Sequence, residues 1–89
     1  LSQEDQYSNL FLTIQLPNTI KESVSTISEI ITNNFESVEL KRYDENQKEI
    51  ELVLSIESKN INEIEKCKIE LQKISKLMKV SFIDNKGLV

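Results

Sequence analysis

The chain has 89 residues, a formal net charge of −4, one cysteine and no histidine. That length bounds it to one domain able to bury roughly 60–65% of its unfolded surface, which leaves a role for a shared interface. Acidic charge argues against a nucleic-acid partner, a lone cysteine excludes an intrachain disulfide, and an aliphatic content of twelve Ile and ten Leu excludes a disordered chain.

The sequence opens on Leu1 rather than Met, and Ser2-Gln3-Glu4-Asp5-Gln6 has the composition of a linker. The expectation is a linker over 1–6 and a single domain over 7–89, cut from a longer protein. Leu10-Phe11-Leu12-Thr13-Ile14-Gln15-Leu16 alternates with period two and predicts the first strand. Pro17-Asn18 ends it. Thr19-Ile20-Lys21-Glu22 has the form of a capping box, and Ile20, Val24, Ile27, Ile31 and Phe35 then recur at helical spacing, with Ile30 widening the stripe. Asn33-Asn34 is the expected helix end, because Asn tolerates the left-handed conformation common there. Val38-Glu39-Leu40 predicts the second strand, Asp44-Glu45-Asn46-Gln47 the turn, and Ile50-Glu51-Leu52-Val53-Leu54-Ser55-Ile56 the third strand. Asn60-Ile61-Asn62-Glu63 repeats the capping signal before a helix whose inner face carries Ile64, Cys67, Leu71, Ile74 and Met78. Val80-Ser81-Phe82 predicts the last strand.

Leu10 and Val38 lie 28 positions apart, as do Leu52 and Val80. The duplicated spacing, in the order βαββαβ, predicts an α+β, ferredoxin-like arrangement: a four-stranded antiparallel sheet with two helices on one face. Leu10, Leu12, Ile14, Leu16, Ile50, Leu52, Leu54 and Ile56 should face the helices, joined by Val38, Leu40, Val80 and Phe82. Aligning the inward faces of strands two and three requires partners whose numbers sum to an even value, which places Lys41 opposite Glu49 or Glu51. The opposite sheet face then receives Phe11, Tyr43, Val53 and Ile83, one from each strand. These four are the candidate interface. Scattered exposed apolar side chains are also ordinary on soluble proteins, and that reading stands beside the first.

No residue constellation specifies a chemistry, and the expectation is a non-enzymatic chain with no catalytic, cofactor-binding or metal-binding residues. Histidine, the usual general base and commonest transition-metal ligand, is missing. Cys67 falls on the inner face of the second helix, where a cysteine serves as a small hydrophobe. Asp44, Glu45 and Asn46 lack the glycine and graded spacing of a calcium loop, and Glu39, Glu49 and Glu51 have Lys41 as a neutralising neighbour. An RNA-binding sheet of this topology stacks bases on aromatics of strands one and three. Here the third strand offers Glu51, Val53 and Ser55.

In architecture the chain resembles ACT-type regulatory domains, which associate through sheets or helices and bind small effectors at subunit contacts. Their effector sites use a glycine between strand one and helix one, where this chain has Leu16-Pro17-Asn18-Thr19. Tyr7-Ser8-Asn9-Leu10, Val38-Glu39-Leu40-Lys41-Arg42-Tyr43 and Val80-Ser81-Phe82-Ile83-Asp84-Asn85-Lys86-Gly87 are similar to the ACT-like cytosolic tails of bacterial membrane proteins of the MgtC/SapB kind or of similar uncharacterised membrane families. The resemblance covers nearly all of the chain and rests on strand patterning. It implies a cytoplasmic regulatory or interaction domain, tethered to a membrane through segments outside these residues. Such a domain acts by homo-oligomerisation or on a partner domain of its own chain; the alternative it implies is a sensor of a small-molecule effector.

Overall fold

Alternating aliphatic and polar residues build β1 (Leu10–Pro17), β2 (Ser37–Glu45), β3 (Glu49–Glu57) and β4 (Lys79–Asp84), and 3.6-residue periodicity builds α1 (Val24–Asn34) and α2 (Ile61–Gln72). The computed structural model describes residues 9–84; the expected linker over 1–6, together with residues 7–8 and 85–89, lies outside them. The strands form one sheet in the order β2-β3-β1-β4, with every neighbouring pair antiparallel. Because β1 and β2 both oppose β3, they run the same way. So do β3 and β4, which both oppose β1.

One face of the sheet and both helices share a single core. Leu12 and Ile14 of β1, Ile50 and Ile56 of β3, Ile27 and Ile31 of α1, and Cys67 and Leu71 of α2 are almost completely buried in it. Leu12 lies between its register partners Leu54 and Phe82, and Phe82 meets Phe35 edge to face with ring centroids 6.4 Å apart. The cover stops short of the β2 edge. Leu40, expected in the core, is on the expected face yet 56% exposed.

The helix boundaries differ from the sequence reading where other hydrogen-bond partners compete for the residues at the helix ends. Asn18–Ser23 forms a 3-10 turn kinked at Ile20, and α1 starts only at Val24 without a side-chain cap, so Thr19 and Glu22 do not form the expected box. Asn18 draws the chain aside. Its N–H donates to Lys48 O at 2.9 Å and its Nδ2 to Asn46 O at 2.6 Å, tying the β1–α1 connection to the β2–β3 hairpin. At the other end of α1, Phe35 is extended at φ −130°, and Asn34 caps with its side chain in place of a left-handed backbone. Asn34 Nδ2 donates to Ile30 O at 2.8 Å and to Glu70 Oε1 of α2 at 2.7 Å.

The second capping signal succeeds in altered form. Asn60 Oδ1 accepts from the Glu63 N–H at 3.2 Å, while Glu63 Oε1 accepts from the N–H of Lys59 and lies 2.9 Å from the buried Ser58 hydroxyl. The helix ends at Gln72 rather than running to Met78. Ser75 organises the turn that follows, its Oγ accepting from Leu77 N–H, and Met78 still reaches the core. In the hairpin, the strands run on to Glu45 and resume at Glu49, because Asn46 Oδ1 accepts from both the Lys48 and Glu49 N–H groups at 2.8 Å.

Candidate interaction surface

Strand register decides what the helix-free face of the sheet presents. From Ser37 to Leu40, β2 pairs with β3 in the expected parity, with Val38 opposite Ile56 and Leu40 opposite Leu54. A β-bulge between Leu40 and Arg42 then inserts one residue, and Arg42 faces Val53, Tyr43 faces Leu52 and Asp44 faces Glu51. Lys41 therefore sits opposite neither Glu49 nor Glu51. It pairs instead with Glu39 of its own strand at 2.9 Å.

The bulge also corrects the candidate interface. Tyr43 shares the parity of the buried Leu52, so it lies on the helix side of β2, 46% exposed beside the uncovered Leu40. Arg42 takes its place on the outer face. The sequence did carry a signal: the apolar positions 38, 40 and 43 are spaced by two and then by three, with the adjacent charges Lys41-Arg42 filling the gap. A regular strand has no such step.

Phe11, Val53 and Ile83 are brought together. Across the outer face, in the order β2-β3-β1-β4, the register aligns three rows: Glu39, Ser55, Phe11, Ile83; then Arg42, Val53, Thr13, Ser81; then Asp44, Glu51, Gln15, Lys79. Phe11 is the direct partner of Ile83 and the diagonal neighbour of Val53, distances at which large side chains touch. Ile83 is exposed, whereas Phe11 and Val53 are half-buried. Small residues surround the three, so the surface has low relief. Between β1 and β4, Thr13, Gln15, Lys79, Ser81 and Ile83 line a shallow open groove.

Charge is unevenly divided over this face. The β2–β3 side carries Glu39, Asp44 and Glu51, with Lys41 paired to Glu39 and Arg42 to Asp44, while the β1–β4 side carries Lys79 alone among these rows. The Arg42 Nε–H donates to Asp44 Oδ2, and that bond and the Asp44 charge hold the Arg42 pKa above its ordinary value. Gln15 Nε2 donates to Glu51 Oε2 at 3.0 Å, a direct cross-strand bond.

Other residues weighed for chemistry are dispersed. Glu39 and Glu51 stand two rows apart, and among the described residues no three His, Cys, Asp or Glu side chains gather as a metal site. Cys67 is fully buried, and desolvation, reinforced by the charge of Glu70, pushes its thiol up to about 12. No helix among the described residues is long and apolar enough to cross a membrane.

No family model and no curated protein matches the chain. Among solved structures it is similar to one titled "De novo designed protein Foldit4", with a TM-score of 0.59 and 17% identity, over 83% of this chain and 90% of that one. At that identity the likeness concerns the fold alone: α+β, with a four-stranded antiparallel sheet and two helices.

Proposed function

We propose that this chain is a ferredoxin-like, non-enzymatic interaction module that self-associates through the helix-free face of its sheet. The strand order and the alternation of strand and helix support the fold name. One observation carries the functional reading: the register gathers Phe11, Val53 and Ile83 into one patch on three adjacent strands, on the face the helices leave open. The apolar strip on the helix side of β2 is a weaker surface, because it consists of Leu40 and Tyr43 on a single edge strand that the bulge interrupts between them. The connection between β1 and α1, where the resemblance to ACT domains would put an effector, is filled by the Asn18 hydrogen bonds to the hairpin.

Size makes the association weak. Four strands about 4.8 Å apart and five residues at about 3.4 Å give roughly 330 Å² of face per copy. A stable complex buries about 800 Å² per partner. Self-association is therefore concentration-dependent, and a tether holding copies together, as in the cytosolic tails this sequence resembles, would raise their effective concentration.

Sedimentation equilibrium of the parent chain and of the Phe11→Lys/Val53→Lys double variant tests the proposal. Both side chains project from the sheet's central strands, so the variant should keep its fold while an apolar contact would have to desolvate two ammonium groups. A parent that associates and a folded variant that does not is the expected result. Association unchanged by the two lysines would remove this face from the mechanism.

A further inference from the structure

The charge pattern of the same face selects how a second copy sits on it. Two sheets stacked face to face lie about 10 Å apart with strands within about 30° of each other, and a symmetric pair has its two-fold axis in the plane between them. With the axis across the strands, each strand stacks on its own counterpart and the row order reverses. Asp44 then meets Glu39 twice, and Arg42 meets Arg42. With the axis along the strands, row order is kept and column order reverses, so β2 stacks over β4 and β3 over β1 of the partner. Like charges separate.

We infer that the chain forms an isologous pair about a two-fold axis parallel to its strands, with Lys79 of each copy over Asp44 of the other. This rests on the self-association reading above and specifies its geometry. The same operation puts Glu51 over Gln15, groups that already make a hydrogen bond within one copy. It also sets large side chains over small ones, Phe11 over Ser55 and Val53 over Thr13, which the low relief of the face accommodates. Ile83 falls over Glu39 at the margin, where the long carboxylate side chain reaches solvent. Lys79 is suited to the contact: it is exposed and has no ion pair among the described residues. Opposed patterns of this kind fix orientation more than affinity.

The test is a reciprocal charge exchange read by sedimentation equilibrium at low salt, with thermal melting to verify each fold. Lys79→Glu sets Glu over Asp44 twice in each pair, and Asp44→Lys sets Lys over Lys79 twice. Each variant alone should associate roughly 5- to 30-fold more weakly than the parent, the scale set by two partly exposed ion pairs turned repulsive. An equimolar mixture should recover the parental affinity as a mixed pair, because both contacts are then complementary, and the double exchange in one chain should recover it too. An axis across the strands predicts otherwise: Asp44→Lys would strengthen association by facing Glu39, and mixing would rescue nothing. That outcome overturns the orientation while Phe11→Lys/Val53→Lys still abolishes association. If those two lysines leave association intact, the sheet-face reading falls as well.

Discussion

At the residue scale, Cys67 shows how environment decides what a reactive group does. It is fully buried on the inner face of α2, and the loss of hydration, with Glu70 nearby, disfavours its thiolate so that the pKa rises from 9.0 to about 12. A native-state thiol reagent should therefore modify it slowly, and denaturant should make the reaction fast. The linkage has a definite sign. A folded pKa above the unfolded one means that the folded state retains the proton longer, so the contribution is complete below about pH 9 and is lost as pH rises towards 12. Cys67→Ala should cost about 1–2 kcal/mol at neutral pH and flatten the alkaline fall in stability relative to the parent. Rapid stoichiometric labelling of the folded chain, or an alkaline profile unchanged by the substitution, would contradict this account. The inward position of Cys67 was legible from helical spacing, since Ile64, Cys67 and Leu71 recur at steps of three and four. The exposure of Leu40 was not, because alternation gives the face of a residue but not how far a helix extends over it.

At the scale of elements, the two capping signals look alike in sequence and end differently. Asn60 caps α2, whereas Thr19 lies within a 3-10 turn and α1 begins at Val24, two residues beyond the expected box. The reason is a competing partner: Asn18 hydrogen-bonds the hairpin, a contact between residues 27 or more positions apart that no local pattern encodes. Asn60→Ala should thus destabilise the chain by about 1 kcal/mol, and Thr19→Ala, at an exposed position without a capping role, should remain within about 0.5 kcal/mol of the parent. Equal losses in chemical denaturation would show that the Thr19 box forms in solution. The β2 bulge teaches a related lesson. Parity correctly aligned Val38 and Leu40 with β3, then failed because it assumes an uninterrupted ladder. One inserted residue carries Tyr43 to the helix side and delivers Arg42 to the outer face.

At the scale of the molecule, the sheet has one face committed to the core and one that is not. The patterning of 89 residues was enough to place the helices over the first, since every second residue of β1 and β3 is Leu or Ile and those residues are the buried ones. What that second face could bind is not encoded by alternation. It becomes arguable only once the register shows which outward residues are neighbours. The most direct measurement is the concentration dependence of backbone amide chemical shifts, taken up to about 1 mM, where a complex worth only about 4.1 kcal/mol is half formed. Shifts should be confined to the three outer-face rows, from Glu39-Ser55-Phe11-Ile83 through Arg42-Val53-Thr13-Ser81 to Asp44-Glu51-Gln15-Lys79, growing with concentration and absent from the Phe11→Lys/Val53→Lys variant. Shifts clustered instead at Leu40 and Tyr43 on the helix side of β2, or spectra that stay constant over the whole range, would contradict it.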